Sequence, residues 1–139
     1  MGKINMVRVI LGGLAAGVVL NISETILNTV VLGADMATQL TKMGLPQVGG
    51  SAIGVFVTLC FLLGIAIVWL YAAVRPRFGP GPKTACIAGG AAWFFAYLYG
   101  GVGAVVMGFV SSHAAMISLP WGLAEVLIAA NVGAYLYKE

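Results

Sequence analysis

The segment Ser51–Val74 reads SAIGVFVTLCFLLGIAIVWLYAAV and contains no charged side chain over its 24 residues. About 20 apolar residues in a helix are enough to cross the ~30 Å hydrocarbon core of a bilayer. The apolar positions are continuous and do not alternate, which indicates a helix and not a strand. A helix also satisfies all its backbone hydrogen bonds within one segment, as a lipid environment requires. This segment therefore predicts a membrane-spanning helix.

The composition of the whole chain supports the same conclusion. Its 139 residues are 61% hydrophobic and 8% charged, whereas about a quarter of the residues in a soluble domain are charged. We therefore predict an all-α, polytopic membrane protein that forms a single four-helix bundle, without a separate soluble domain. The predicted spans are residues 4–32, 51–74, 84–109 and 119–138.

The basic residues carry a topology signal. The net charge is +3, and six of the seven cations fall at helix ends on one side of the four-span arrangement. These six are Lys3, Arg8, Arg75, Arg77, Lys83 and Lys138. Lys and Arg accumulate on the cytoplasmic side of membrane proteins. We therefore interpret the positive charge as a signal for membrane orientation and not for nucleic-acid binding. Arg75, Arg77 and Lys83 are the main determinants, and we expect both termini in the cytoplasm at a bacterial inner membrane.

The connections between the spans have distinct compositions. Arg75–Lys83 contains three prolines and two glycines, which predicts a stiff, non-helical inner turn. Residues 33–50 predict an outer loop that holds a short interfacial helix. Residues 110–119 predict a second outer loop with the only histidine, His113, and Pro120 then belongs to the first turn of span four.

A polar island interrupts span one at Asn21–Asn28, with the sequence NISETILN. At ~1.5 Å rise per residue, Glu24 lies ~24 Å from the inner boundary, and Glu125 of span four lies ~7 Å below the outer boundary. The two carboxyl groups are therefore expected at the same level, in the outer leaflet. The same arithmetic brings Tyr99 of span three and Thr58 of span two to that level.

Helical periodicity places polar and small residues on one face of spans one and four, as expected of the protein-facing side of a membrane helix. The predicted polar cluster comprises Asn21, Glu24, Thr25, Asn28, Tyr99 and Glu125. The predicted helix-packing residues are Gly13, Gly17, Gly122, Ala129 and Gly133. We therefore expect spans one and four to pack together with both carboxyl groups turned inward.

Two neighbouring carboxylates in a low-dielectric interior, without a membrane-embedded cation, should not both be ionised. If they touch, one proton shared between Glu24 and Glu125 is the expected state at neutral pH. One hypothesis is a proton-coupled or cation-binding site. The alternative is that protonated Glu24, with Asn21 and Asn28, provides hydrogen bonds between helices, worth about 1 kcal/mol each or less.

No other residue pattern indicates chemistry. His113 could ligate a metal or a pigment, or could be a solvated loop histidine. The aromatic residues from Trp93 to Tyr99 could line a hydrophobic ligand site or pack within the bundle. Cys60 and Cys86 lie at different depths, which excludes an intrachain disulfide. We expect no metal, no cofactor and no enzymatic activity, and contacts with lipid or pigment stay open.

The segment Trp69–Thr84, WLYAAVRPRFGPGPKT, together with the four spans, resembles a group of small bacterial integral membrane proteins of unknown function. The chain is also superficially similar to small multidrug transporters, which share four spans, short loops and a glutamate in span one. It differs from them in the outer position of Glu24, in the long first outer loop and in Glu125.

Two functional hypotheses follow from the sequence. The first is a non-enzymatic accessory or structural subunit that packs in a larger membrane complex, with lipids and other membrane proteins as partners. The alternative is a small proton-coupled transporter, acting as a homodimer, that uses Glu24 and Glu125.

Overall fold

The computed structural model describes residues 3–138 and contains only helices and connections over that range. Four segments are long and apolar enough to cross a membrane: Met6–Val31, Gly50–Phe78, Pro82–Val106 and Ser112–Leu136. The helices are α1 (Met6–Ile26), which continues as a π-helical turn (Leu27–Val31), α2 (Gly33–Lys42), α3 (Gly50–Phe78), α4 (Pro82–Trp93), a π-helical turn (Phe94–Tyr99), α5 (Gly100–Val106) and α6 (Ser112–Leu136). The predicted all-α fold with four membrane-length helices is confirmed.

The beginning of α1 and the ends of α3 and α6 meet at one end of the bundle. The backbone N–H of Asn5 donates to the Tyr137 hydroxyl at 3.3 Å. The Tyr137 ring packs edge-on against Tyr71, and the Arg75 guanidinium lies 5.6 Å from the centre of the Tyr137 ring. We call this end, where the described residues begin and end, the terminal end. The opposite end, where α2 lies, is the distal end.

Glycines allow α1 to approach two neighbours closely. A Cβ atom added to Gly17 would lie 2.5 Å from the Phe61 ring of α3, and one added to Gly12 would lie 2.6 Å from the Gly133 carbonyl of α6. Any larger side chain would push these helices apart. All five predicted packing residues lie at such helix contacts or in the core: Gly13, Gly17, Gly122, Ala129 and Gly133.

The turn between α3 and α4 is shorter than the prediction for Arg75–Lys83. Helix α3 continues through Pro76, and α4 begins directly after Gly81, so only residues 79–81 are non-helical. Pro76 lies in the last turn of α3, where its missing N–H removes one hydrogen bond, to the Ala72 carbonyl. Gly79 and Gly81, with φ of 81° and 125°, provide the reversal. The prediction of a fully non-helical turn was wrong at both ends.

Helix α6 begins at Ser112, seven residues before the predicted start at residue 119. The Ser111 hydroxyl oxygen accepts a hydrogen bond from the Ala114 N–H at 3.1 Å and caps the helix. Pro120 therefore lies inside the helix and not in its first turn, and His113 belongs to the first turn of α6 and not to a loop. The sequence prediction for both residues was wrong because the serine cap, and not the proline, defines the start.

Candidate functional site

The carboxyl groups of Glu24 and Glu125 meet at the hydroxyl of Tyr97. The Tyr97 Oη atom lies 2.7 Å from Glu125 Oε1 and 3.1 Å from Glu24 Oε1. The two carboxyl oxygens are therefore at most 5.8 Å apart, the sum of these two distances. Glu24 comes from α1, Tyr97 from the π-helical turn after α4, and Glu125 from α6. Three of the four membrane-length helices thus contribute to one polar cluster.

Tyr97 can hydrogen-bond both carboxyl groups at once only if one of them is protonated. A tyrosine hydroxyl has a single proton to donate, so it cannot donate to both carboxylates. Both contacts are hydrogen bonds only if one carboxyl group is protonated and donates to Tyr97 Oη. Glu24 suits this role, because its Oε2 accepts from the Asn28 side-chain amide at 2.6 Å and leaves Oε1 to carry the proton. Simultaneous hydrogen bonds of Tyr97 with both carboxyl groups therefore require at least one carboxyl proton.

Glu125 lies in the core of the bundle and is 3% exposed. Its Oε2 atom is buried and has no hydrogen-bond partner within residues 3–138. The side chains of Glu24 and Ser23 are close enough to interact with this carboxyl group. Buried polar atoms in proteins usually have a partner, so an unpaired carboxyl oxygen at this depth needs a functional explanation.

Two tryptophans tie α6 to its neighbours beside the cluster. The indole N–H of Trp121 donates to the Ser23 hydroxyl oxygen at 2.8 Å, and that of Trp93 donates to the Leu119 carbonyl at 2.9 Å. Because an indole N–H only donates, the proton of the Ser23 hydroxyl stays available for another acceptor. These bonds fix the positions of α1, α4 and α6 around the carboxyl pair.

Tyr97 takes the position that the sequence analysis assigned to Tyr99. The Tyr99 side chain is 76% exposed and lies outside the cluster. In a regular helix Tyr97 lies about 40° from Trp93, and Tyr99 lies about 120° from it. Trp93 faces α6, so Tyr97, which lies on nearly the same side of the helix, also faces α6. The sequence prediction chose Tyr99 because it considered only the depth of the residue in the membrane. The signal that was missed is the spacing of four residues between Trp93 and Tyr97.

Three other polar residues near this level bind backbone carbonyls and not the carboxyl pair. The Asn21 amide bonds its own helix and reaches the Val57 carbonyl of α3 at 3.4 Å. Thr25 and Thr58 each donate to the carbonyl one turn earlier in their own helices. Of the predicted polar residues, the structure therefore unites Glu24, Asn28 and Glu125 and leaves Asn21, Thr25 and Thr58 outside.

A cleft of about 200 Å³ lies at the distal end, between α2 and the beginning of α6, and is partly open to the outside. Asn28 lines this cleft and also donates to Glu24, so its side chain joins the cleft to the carboxyl pair. The walls combine polar and apolar residues, among them Asn28, Asp35, Met36, Gln39, Phe109 and Ser118.

Helix α2 is attached to the other side of this cleft by two polar contacts. His113 Nδ1 lies 2.7 Å from Asp35 Oδ2, and the Gln39 amide donates to the Gly108 carbonyl at 2.7 Å. His113 is thus neither a loop residue nor part of a metal-ligand group. Over the described range, no three His, Cys, Asp or Glu side chains lie together in a way that could hold a metal ion.

Comparisons of the chain with protein-family models, with curated proteins and with solved structures found no match.

Proposed function

We propose that this chain is an integral membrane protein that acts as a small proton-coupled transporter. Glu24 and Glu125 bind and release the shared proton, and Tyr97 bridges them. The observation that carries the proposal is the single Tyr97 hydroxyl within hydrogen-bonding distance of both carboxyl groups. Ionisable groups inside a membrane are rare and usually mark ion or proton pathways.

The unpaired oxygen of Glu125 favours proton binding over a purely structural role. A polar group that only joins helices contributes stability when every member of its network is paired, and costs stability when one is not. Glu125 Oε2 is buried without a partner. A site that gains and loses protons needs such an additional acceptor, because the proton count changes during its cycle. For this reason we put transport ahead of the accessory subunit that the sequence analysis put first.

The distal cleft gives this site a route to water on one side. Asn28 connects the cleft with Glu24, and Asp35 at the cleft adds negative charge. The cations Arg75 and Arg77 lie in the last turn of α3, at the terminal end. By the positive-inside rule the terminal end faces the cytoplasm. The proton then enters from the outside of what we infer to be a bacterial inner membrane.

An accessory subunit remains the second candidate, because one surface suits a protein partner. The distal half of α3 exposes six large apolar side chains by 40–60%: Ile53, Val55, Phe56, Val57, Leu59 and Leu62. Purification of the native protein in mild detergent, followed by mass spectrometry, tests this candidate. A stoichiometric larger complex would favour the subunit, and an isolated small oligomer would favour the transporter.

Uptake into liposomes tests the transporter directly. Purified protein is reconstituted, a pH gradient is imposed with the acidic side outside, and a mixture of small metabolites is added. We expect at least one solute to accumulate only with the gradient, and E24Q and E125Q to abolish this accumulation. The matched control is Y99F, which alters an exposed tyrosine two residues from Tyr97 and should behave like the wild type. No gradient-dependent uptake by the wild type, or normal uptake by E125Q, would contradict the proposal.

A further inference from the structure

We propose that the carboxyl pair also binds one monovalent metal ion of the sodium type, in competition with a proton. The site is bounded by Glu24, Glu125, Ser23 and Tyr97. The inference deepens the proposed function and rests on its proton-binding cluster, since it names the ion class that replaces the proton.

Glu24, Glu125, Ser23 and Tyr97 present oxygen atoms of the kind that hard cations prefer, and the Cys60 thiol of α3 lies near both carboxyl groups. Tyr97 Oη lies within 3.1 Å of one oxygen of each carboxyl group, and the Ser23 side chain interacts with Glu125. A cation of calcium-like radius, such as Na⁺, has metal–oxygen distances of about 2.3–2.6 Å. It would therefore bridge carboxyl oxygens about 5 Å apart. The shared contact with Tyr97 Oη keeps the two Oε1 atoms within 5.8 Å of each other, so little side-chain movement would bring an oxygen of each carboxyl group onto one ion.

The charge of the cluster selects a monovalent ion. The two carboxyl groups carry two negative charges when both are ionised, and the charged group that acts on Glu125 is Glu24. Because an uncompensated charge in a low-dielectric interior is costly, the pair needs two positive charges. One of these positive charges is the proton that the two hydrogen bonds of Tyr97 require. The second negative charge is then balanced by a second proton or by one monovalent cation.

The unpaired Glu125 Oε2 is an independent observation that points to a ligand. Glu125 is 3% exposed, and this oxygen has no hydrogen-bond partner among the described residues. The Asn28 amide already bonds Glu24, and the Ser23 hydroxyl is the neutral donor beside Glu125, so a cation at Oε2 would take the place of a donor proton there. A bound cation would use Oε2 together with an oxygen of Glu24. The proton and the ion would then exclude each other at the same atom.

The approach from the distal cleft also favours a cation. Among residues 3–138, the lining of the cleft includes Asp35, which pairs with His113, and neither lysine nor arginine. At the terminal end Arg75 and Arg77 occupy the last turn of α3 and repel cations. An ion would therefore reach Glu24 past Asn28, by the same route as the proton.

Trp121 provides a reporter for the test, because its indole N–H bonds Ser23 beside the carboxyl pair. Tryptophan fluorescence of the purified protein is followed while NaCl replaces choline chloride at constant ionic strength. We expect a saturable change with Na⁺, whose midpoint rises about tenfold for each unit that the pH is lowered, as one-for-one competition requires. Na⁺ addition to weakly buffered protein should also release about one proton per chain.

Variants and other ions decide the result. E125Q should abolish the change, and S23A should shift its midpoint to higher Na⁺, with circular dichroism as the control for folding. Y99F should leave the titration unchanged. A response to choline equal to that of Na⁺, a midpoint independent of pH, or a response to Ca²⁺ alone would overturn the inference.

Infrared spectroscopy separates this inference from the proposed function. One possible result is an infrared band of a protonated carboxyl group that the E24Q substitution removes, with no effect of Na⁺. This result would overturn only the metal-ion site. Absence of both the band and the Na⁺ effect would overturn the proton-binding cluster as well.

Discussion

At the scale of single residues, the central feature is one hydroxyl between two acids. Tyr97 is placed there by its spacing of four residues from Trp93 and by Gly122, whose missing side chain leaves room for the tyrosine ring. A Cβ atom on Gly122 would lie 2.5 Å from that ring. The polar contact between α1 and α6 therefore depends on a tyrosine from a third segment. Removing its hydroxyl should affect both carboxyl groups at once.

The variant Y97F should lower the free energy of unfolding by about 1–3 kcal/mol, because two half-buried or buried carboxyl groups lose a hydrogen-bond partner. Y99F is the matched control and should change stability by less than about 0.5 kcal/mol, as expected for an exposed side chain. Denaturant titrations in detergent, followed by circular dichroism, measure both values. Equal effects of the two substitutions would mean that Tyr97 does not bridge the acids.

At the scale of helices, the bundle depends on close contacts between backbones. Gly64 of α3 faces α1 at Gly17, where a Cβ atom on Gly64 would lie 2.6 Å from the Gly17 backbone nitrogen. In a bilayer, helix association depends on such packing and on hydrogen bonds, because the lipid is as apolar as the side chains. The glycines of α1 thus determine how closely α1 packs against α3, at Gly17, and against α6, at Gly12.

The variant G17A should destabilise the bundle by about 1–3 kcal/mol, since the new methyl group would lie 2.5 Å from the Phe61 ring. The matched control is G54A in α3, where no atom lies within 4 Å of the added Cβ. Alanine there should be neutral or slightly stabilising, because it favours helix more than glycine does. Thermal unfolding in one detergent compares the two. A larger loss from G54A would contradict the packing described.

At the scale of the whole molecule, the charges are separated along the bundle. Arg75 and Arg77 end α3, Lys83 lies in the first turn of α4, and the start of α1 and the end of α6 join them at the terminal end. Asp35 and His113 pair at the distal end. Because Lys and Arg near helix ends orient membrane proteins, this separation gives the bundle one preferred orientation.

Replacing Arg75, Arg77 and Lys83 together by glutamate should invert or scramble the orientation, because most of the positive charge near the short connection between α3 and α4 is lost. Labelling of single cysteines at the two termini, from either side of the membrane, measures the outcome. Glutamine at the same three positions is the control for loss of charge without reversal, and should have a smaller effect. Normal insertion of the glutamate variant would mean that orientation depends on other features.

Composition and helical rise were enough to predict the fold class and the common level of the two acids along the bundle. Long uncharged segments such as Ser51–Val74 cannot be solvated, so composition alone predicts membrane-length helices. A regular rise per residue then predicted Glu24 and Glu125 at one level. Rise is a local property of the helix, which explains why this part of the argument needs no knowledge of neighbouring helices.

Only the tertiary structure decided which side chains complete the site and where the helices end. Tyr97 and not Tyr99 meets the acids because the rotation of its segment is set by the contact of Trp93 with α6. The start of α6 depends on the Ser111 cap, and α2 closes the distal cleft through Asp35 and His113. The Ser111 cap is a local signal, three residues from Ala114, and it was missed because Pro120 was assigned to the first turn. The contacts of Trp93 with α6 and of Asp35 with His113 join segments far apart in the chain, and such contacts leave no local pattern in the sequence.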